Sequence, residues 1–418
     1  MERLLRGHPL RTVSVDGASA EFVTDAALVR RILVKDGKHY TKGELFQKAR
    51  ILSRAGLLAQ DDALHRHYRR LAHPYLRTTA VAGHAPVMEE IARDTAALWR
   101  PGQPVDVQAE MCRAASGIAL NTLFGALPRE TSNVLGAHLA ALSWEMIRKP
   151  LYGKAARSPR PSQRLAGAFT GFRTLLASCV AGRLGSPAAS GDHLSALLAD
   201  TGPDGTAALS ADQICDEAVM MLTAATVTTA SVMSWALYLL AEDPLVEEKV
   251  LKDLAQTTAA HPGTATGAGV RPGHGQGPPG YALRFLMEVL RLYPPVWITC
   301  RKTLSDVTLG EHALPAGTHV MFSSYLLHRD PDRYPHPHRL DPDRWLSLRP
   351  TALDASYIPF GAGARGCVGE AFAWKELEIL LGAVAREWQL TLPPGTRVRA
   401  AAHTTLHPQR LHMLPQPR

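Results

Sequence analysis

The sequence predicts a mainly α-helical fold with a small β-sheet region, and three stretches carry this prediction. Residues 210–242 have the length and apolar content of one long helix, and Ser210 and Gln213 form the S-x-x-Q pattern that caps helix starts. Residues 10–23 resemble a β-hairpin, with apolar-rich segments on both sides of an Asp-Gly turn. Residues 303–324 contain further strand-like segments around a Pro-Ala-Gly turn.

The remaining elements follow from periodicity and from loop-forming residues. Residues 25–260 are mostly helical in pattern, and a second helical stretch covers about 367–388, beginning at a cysteine. Residues 261–280 are rich in Gly and Pro, a composition that predicts a surface loop. Because we expect the chemically distinctive motifs on both sides of this loop to serve one site, we predict that residues 1–418 form a single domain.

The charge balance limits the class of partner. The chain of 418 residues has a formal net charge of +8 and a pI of about 9.3. Basic proteins favour acidic partners. The charges are spread along the chain, and no basic run has interleaved aromatic residues, so we expect no nucleic-acid partner. An acidic protein partner fits better.

Cysteine usage and apolar segments predict the compartment. The five cysteines are widely spaced without C-x-x-C pairs, which argues against a disulfide framework or a zinc site and for a reducing environment. The first thirteen residues lack the apolar core of a secretion signal. Residues 218–241 contain no charge and are long enough to span a membrane, but their many Ser and Thr residues favour a buried helix. With no second such segment expected, we predict a cytoplasmic protein without a membrane partner.

The most informative segment is a glycine-rich loop that contains one cysteine. It has the pattern F-x-x-G-x-R-x-C-x-G, with Phe360, Gly363, Arg365, Cys367 and Gly369 at the specified positions. Glycines allow backbone N–H groups to approach a sulfur closely, and a following helix N-terminus favours a thiolate. A thiolate bound to iron pushes electron density onto the metal and favours O–O cleavage. We therefore predict that Cys367 is an iron ligand.

A competing pattern overlaps this loop. Gly361, Gly363 and Gly366 match G-x-G-x-x-G, the dinucleotide-binding pattern. That pattern requires a strand before it and a βαβ unit around it, and only a short apolar segment precedes this one. We therefore do not favour a dinucleotide site here.

The cysteine loop resembles the haem-binding motif of the cytochrome P450 superfamily, and the resemblance extends over nearly the whole chain. Glu288 and Arg291 match the family's E-x-x-R helix motif, and Arg344 matches the arginine that completes a Glu-Arg-Arg network. The resemblance implies that these three residues hold the cysteine loop in place. It also implies a haem b cofactor with Cys367 as its axial metal ligand.

Further residues match the family's haem-contacting positions. His65 and Arg69 resemble an H-x-x-x-R motif that binds haem propionates, and Arg301 and Arg365 occupy positions of further propionate cations. Together they offer up to four donors to two carboxylates. By the same resemblance, Phe360 and Gly369 belong to the cofactor-binding loop.

The central helix resembles the family's oxygen-binding turn, with two departures. Thr228 matches the catalytic threonine that hydrogen-bonds bound oxygen, but Ala225 replaces the usual Gly and Val227 replaces the usual acid. Valine cannot relay a proton, so protons must arrive by another route, or the chemistry is unusual for the family. A buried threonine hydroxyl can instead simply bond its i−4 carbonyl.

The resemblance also implies a function and a substrate pocket. We expect a monooxygenase that hydroxylates a small lipophilic terpenoid or other secondary metabolite with O2. Electrons would come from NAD(P)H through an external ferredoxin and ferredoxin reductase, with the enzyme acting as a monomer. Two alternatives stay open: non-insertion chemistry such as oxidative coupling, ring closure or desaturation, and a non-catalytic haem module that recruits a partner. The predicted pocket positions are Ala224, Ala225, Val227, Trp297, Ile298 and Thr405.

Overall fold

The computed structural model describes most of the chain. The described residues are 8–15, 17–43, 57, 62–125, 127–150, 163–183, 191–201, 207–260, 278–350 and 355–418. The loop predicted at 261–280 therefore lies outside the described residues, except for its last three positions.

The described chain is mainly helical, as the sequence predicts. The helices are α1 (Ala26–Arg30), α2 (Asp62–Leu76), α3 (Thr78–Ala97), α4 (Val107–Leu123), α5 (Arg129–Ile147), α6 (Gln163–Arg183), α7 (His193–Leu198), α8 (Ala211–Glu242), α9 (Pro244–Ala260), α10 (Tyr281–Leu292), α11 (Ser324–Leu327) and α12 (Glu370–Glu387). A short π-helix, Arg31–Lys35, follows α1. Short 3₁₀ helices lie at Gly37–His39, Pro342–Leu346 and Gly363–Arg365.

The strands form small sheets beside the helices. They are β1 (Leu10–Val15), β2 (Ala18–Val23), β3 (Tyr40–Lys42), β4 (Val105–Asp106), β5 (Thr299–Thr303), β6 (Val307–Leu309), β7 (His312–Leu314), β8 (His319–Phe322), β9 (Trp388–Thr391), β10 (Ala400–Ala402), β11 (Leu406–Pro408) and β12 (His412–Pro417). The largest sheet has the order β1-β2-β8-β5-β3, and the others are β10-β11, β4-β12-β9 and β6-β7. The predicted hairpin is confirmed, since β1 and β2 pair antiparallel from Leu10–Val23 to Val15–Ala18.

Helix α8 passes through the centre of the helical region. Its start has the predicted capping box: the Gln213 N–H donates to Ser210 Oγ at 3.2 Å, and the Ser210 N–H donates to Gln213 Oε1 at 2.8 Å. The helix packs against α4, α5, α6, α10 and α12. Most of its side chains are consequently buried.

Within the described residues, two helices are long and apolar enough to cross a membrane, by length and composition only: α6 and α8. Helix α6 contains Arg173, so it is not a second uncharged stretch like residues 218–241, and the expectation that no second span exists stays a prediction. The apolar stretch of α8 is mostly buried within the protein, which agrees with its prediction as a core helix. Arg173, in the middle of α6, binds Asp216 of α8 at 2.5 Å, which ties the two helices together.

The helix after the cysteine loop starts later than the sequence suggests. Helix α12 begins at Glu370, with Gly369 as its N-cap, rather than at Cys367. The Cys367 N–H is already used in a 2.8 Å hydrogen bond to the Phe360 carbonyl, which closes the loop on itself. The cysteine therefore sits in a loop just before the helix N-terminus.

Candidate active site

Cys367 differs from the other cysteines in its environment. All five lie in the described part of the chain; Cys112, Cys215 and Cys300 are buried, Cys179 is partly buried, and Cys367 is exposed. Next to it, Arg69 Nη1 donates to the Gly366 carbonyl at 2.7 Å. Burial lowers the pKa of Arg69, and the charge of the neighbouring Cys367 opposes that shift. The loop thus presents an accessible sulfur beside a guanidinium that stabilises negative charge.

The loop glycines are explained by packing rather than by a dinucleotide. Gly363 has φ +68°, and a Cβ at this position would collide with the Leu33 carbonyl oxygen of the π-helical turn after α1. Gly361 also has a positive φ, of +70°. Within residues 355–360, which precede this pattern, the structure contains no strand. The G-x-G-x-x-G pattern therefore serves a tight loop against a neighbouring backbone.

One turn in the middle of the mostly buried helix α8 is partly exposed, and it is called the open turn below. Ala224, Ala225 and Thr228 are partly exposed, whereas Val227 and most of their neighbours are buried. Thr228 lies four positions after Ala224 and three after Ala225, and residues at these spacings are neighbours on a helix surface, so both alanines flank Thr228. Thr228 Oγ1 donates to the Ala224 carbonyl at 2.9 Å. Since a hydroxyl has one hydrogen, Thr228 in this arrangement can only accept further hydrogen bonds.

These features fit a haem. The exposed thiol lies in the loop just before α12, the partly exposed turn lies on α8, and the two helices pack against each other. Cys367 is the residue of this loop that would ligate the iron, and Ala224 and Ala225 are small side chains on the partly exposed turn of α8. Such a group, held by a thiolate, supplies oxygen activation.

The predicted Glu-Arg-Arg residues come together in the core. Arg291 donates to both carboxylate oxygens of Glu288, at 2.9 and 2.8 Å, and Arg344 Nε donates to Glu288 Oε1 at 2.9 Å. The side chains of Glu288 and Arg291 are fully buried. Arg291 also donates to the carbonyls of His328, Pro337 and Arg339. The network therefore fixes the irregular segment 328–344 to α10.

A second set of bonds connects that segment to the cysteine loop. His328 Nε2 accepts from the Ile358 N–H at 2.8 Å, and Tyr334 donates to the Ser356 carbonyl at 3.0 Å. Burial, with Arg329 and Arg291 nearby, lowers the pKa of His328 to about 3. The imidazole therefore stays neutral, which the acceptor role at Nε2 requires. Ile358 lies two residues before Phe360, whose carbonyl holds the Cys367 N–H.

The predicted propionate cations lie on different elements. His65 and Arg69 are on α2, Arg301 is on β5, and Arg365 is in the 3₁₀ turn before Cys367. His65 and Arg301 are buried, and Arg365 is partly buried. Arg301 Nη1 donates to the Cys300 carbonyl at 2.9 Å. Their contact with propionates stays a prediction.

Of the predicted pocket positions, three lie on α8 and Ile298 lies beside the sheet. Ala224 and Ala225 are on the open turn, but Val227 belongs to the buried core of the helical region. Ile298 packs against a small cluster on the sheet with Ala20, Phe22, Cys300 and Met321.

Two other pocket positions anchor the β10–β11 loop. Trp297 Nε1 donates to the His403 carbonyl at 2.9 Å, and Thr405 Oγ1 contacts Ser231 Oγ of α8 at 2.7 Å. These bonds place the loop beside α8.

Sequence reasoning missed one polar contact near the open turn. Thr229 Oγ1 donates to Glu376 Oε2 at 2.7 Å, which joins α8 to α12. It also missed the bond from Arg69 to the loop carbonyl. Neither contact has a local sequence signal, because the partners are 147 and 297 positions apart.

Comparison with known proteins agrees with this geometry. The family model described as Cytochrome P450 matches residues 6–416. Cyclooctatin synthase of Streptomyces melanosporofaciens is 31% identical over 400 residues, covering 94% of this chain and 85% of that protein. Pentalenene oxygenase of Streptomyces avermitilis is 28% identical over 411 residues, covering 96% and 88%.

Solved structures share the fold. A cyanobacterial P450 with bound retinoic acid superposes with a TM-score of 0.82 at 21% identity, covering 98% of this chain and 92% of that one. The haem domain of cytochrome P450DA gives a TM-score of 0.80, also at 21% identity, covering 98% and 90%. On this evidence the chain belongs to the cytochrome P450 family of haem-dependent monooxygenases.

Proposed function

We propose that this protein hydroxylates a small lipophilic terpenoid with O2 and electrons delivered by a ferredoxin. The observation that carries the proposal is the exposed Cys367 thiol beside Arg69, in the loop that leads into α12, which packs against the helix with the partly exposed turn at Thr228. Relatives support the substrate class, since three are named cyclooctatin synthase, cyclooctat-9-en-7-ol 5-monooxygenase and pentalenene oxygenase.

The residues of the chain would have the following roles. When bound, the haem supplies oxygen activation. Cys367 holds it from the loop side, and Arg69 and the loop backbone stabilise the sulfur charge. Thr228 would accept a hydrogen bond at the partly exposed turn of α8, because its own hydrogen is donated to Ala224. Ala224 and Ala225 would present small apolar side chains to the substrate.

We further propose a single cytoplasmic domain that acts as a monomer. The largest cluster of buried residues extends from Leu57 to Met413, so the chain segments on both sides of 261–280 contribute to one core. That continuity supports one haem-binding unit.

A second candidate is non-insertion chemistry on the same site: oxidative coupling, ring closure or desaturation. The observation that favours it is Val227, buried where the family usually has an acid. Without a carboxylate at this position, proton supply for oxygen insertion must use another route.

One experiment separates the two candidates. Terpenes and other lipophilic compounds are screened for a substrate-induced spin shift of the haem, and the binders are turned over under ¹⁸O2. Hydroxylation predicts one ¹⁸O atom in the product. A product without ¹⁸O but with a new bond or double bond would favour the second candidate, and no binder among terpenoids would contradict the proposed substrate class.

A basic surface cavity next to the cysteine loop supports the proposal of an acidic protein as the electron donor. A surface cavity of about 640 Å³ is lined by Ala63, Arg66, Arg69, Arg70, His73 and Pro74 of α2. Arg69 also contacts the backbone of residue 366, so the cavity borders the thiol side. An acidic ferredoxin, reduced by NAD(P)H through its reductase, matches this charge.

Charge reversal at this cavity should slow reduction. We expect Arg66→Glu to lower the rate of reduction by an acidic ferredoxin about tenfold or more at low salt, because rim charges act mainly on association. The wild-type rate should fall as ionic strength passes roughly 0.15 M, where the Debye length is about 8 Å. Stopped-flow reduction under carbon monoxide measures both effects.

Arg129→Glu is the matched control. Arg129 is an exposed arginine at the start of α5, so its reversal gives the same change in net charge on a different element. Equal slowing by both variants, or a rate independent of salt, would contradict docking at the α2 cavity.

A further inference from the structure

A group of basic side chains lies where the end of α5 meets the β10–β11 hairpin. Arg148 is the C-cap of α5, His403 is in the loop between β10 and β11, and His407 is on β11. The Lys149 carbonyl accepts from both the N–H and the hydroxyl of Thr404, at 2.9 and 3.0 Å. These bonds join the two segments, and Arg148, His403 and His407 are called the basic corner below.

Arg148 lies close to both histidines and is not paired with an acid among the described residues. Burial lowers the pKa of both His403 and His407, and the charge of Arg148 lowers both further. The guanidinium carbon of Arg148 lies 5.2 Å from the centroid of the Trp144 ring. Stacking occupies one face of a guanidinium, so the N–H donors at its edge can still bind an anion.

The histidine pair has a defined direction of hydrogen bonding. His407 Nδ1 donates to the Pro408 carbonyl at 3.0 Å, because a carbonyl can only accept. Burial, above all, lowers the pKa of His407 to about 4, so the ring is neutral and its Nε2 accepts from His403 Nδ1 at 3.2 Å. His403 Nε2 is consequently the ring atom that can meet a ligand, and a proton on it makes it a donor.

The same hairpin loop reaches the open turn of α8. Thr405 Oγ1 donates to Ser231 Oγ at 2.7 Å, since Ser231 has given its own hydrogen to the Val227 carbonyl. Ser231 lies three positions after Thr228, about 4.5 Å along the helix axis. Residues 403 and 405 are at most about 7 Å apart in an extended chain. His403 therefore lies within about 20 Å of the open turn, a distance that one extended terpenoid can span.

We propose that the basic corner binds a carboxylate at one end of the terpenoid substrate while the other end lies at the open turn of α8. This inference rests on the proposed function and narrows its substrate class to terpenoid acids. The Arg148 guanidinium donates to the carboxylate, and His403 donates a second charge-assisted bond once a proton from solvent is on Nε2. Binding breaks no covalent bond of the substrate and moves no electron.

A solvated surface arginine beside a structural histidine pair is the competing explanation. Arg148→Gln separates the two, because it removes the charge and keeps much of the side chain. The bonds that hold the loop remain in this variant, since Thr404 binds the backbone of residue 149 and Trp297 binds the His403 carbonyl. A structural role therefore predicts the same ligand preference in the variant and in the wild type.

The first measurement compares farnesoic acid with its methyl ester by the spin shift that each induces in the purified holoenzyme. We expect the acid to bind about tenfold or more tightly than the ester in the wild type, because its carboxylate gains charge-assisted hydrogen bonds. Arg148→Gln should lose this preference by weakening the acid alone. Equal affinities in the wild type, or an unchanged preference in Arg148→Gln, would overturn the proposal.

Arg129→Gln is the matched control. It removes an exposed arginine from the opposite end of the same helix, so the change in net charge is identical. The preference for the acid should be that of the wild type. A loss equal to that in Arg148→Gln would show a general effect of net charge and overturn the assignment.

The pH dependence of binding tests His403. Arg148 from α5 and His407 from β11 are the basic groups that act on this ring. Burial and then Arg148 hold the pKa of free His403 below its ordinary value, and a bound carboxylate raises it. Binding therefore takes up a proton, and farnesoate should bind more tightly as pH falls from about 8 to 6. His403→Gln should remove this dependence, and a wild-type affinity that does not change with pH would overturn the assignment of His403.

The second measurement observes the basic corner directly and needs no spin shift. The ¹⁵N side-chain signal of Arg148 in the holoenzyme, identified by its loss in Arg148→Gln, is followed with decanoate, decanol and acetate. Decanoate should shift the signal at concentrations where decanol and acetate do not. No shift with decanoate, or an equal shift with acetate, would overturn recognition of an amphiphilic carboxylate. A shift with decanoate but no binding of any terpenoid acid or ester would instead reject the proposed function.

Discussion

Cys367→Ala is expected to remove thiolate ligation completely and, with it, all monooxygenase turnover. Cys367 is the exposed cysteine, held by the Phe360 carbonyl at the start of α12, and alanine offers no ligand atom. Electron paramagnetic resonance of the ferric protein should lose the low-spin signal of a thiolate ligand, and product formation should fall below detection.

The controls are cysteines elsewhere in the fold. Cys215→Ala and Cys179→Ala should keep both the signal and turnover, because Cys215 is buried on α8 and Cys179 is partly buried on α6. Burial raises the pKa of both thiols, which disfavours the thiolate form that binds iron. Loss of the thiolate signal in Cys215→Ala with normal haem content would contradict the assignment of Cys367.

Glu288→Ala should have the largest effect on the folded protein. It leaves Arg291 and Arg344 without their shared carboxylate in a site that is almost entirely buried. Removing one partner from such a pair costs about 3–5 kcal/mol. Because the network fixes segment 328–344, and His328 then binds Ile358 ahead of the cysteine loop, we expect little or no haem incorporation. Haem content per protein and the thermal unfolding midpoint measure this.

Lys249→Ala is the matched control for Glu288→Ala. Lys249 contacts Asp343 in the same segment at 3.4 Å, but both side chains are well exposed. Exposed pairs contribute about 0–1 kcal/mol, so this variant should bind haem normally. If Glu288→Ala also retains haem and melts like wild type, the network does not support the loop.

Short-range features of the fold could be predicted from the sequence. The capping box at Ser210 and Gln213, the β1–β2 hairpin and the helical class all follow from residues within a few positions of each other. The E-x-x-R pair is of the same kind, because positions i and i+3 share a helix face. The third member of that network, Arg344, came from family resemblance and not from spacing.

Contacts between distant segments could not be predicted. Helix α12 starts at Glu370 rather than at Cys367, and the Cys367 N–H bonds the Phe360 carbonyl in a closed loop before it, which is a property of the loop as a whole. The bond between Thr229 and Glu376 depends on how two helices pack. Ile298, which directly precedes β5, packs on the sheet against residues of β2 and β8 that are distant in sequence.

The central claim, that Cys367 holds a haem iron as a thiolate, is tested most directly by the absorption spectrum of the reduced wild-type protein under carbon monoxide. Thiolate ligation predicts a strongly red-shifted Soret band in the wild type that is absent from Cys367→Ala. A Soret band at the position typical of histidine ligation, in freshly purified and fully folded wild type, would contradict the account.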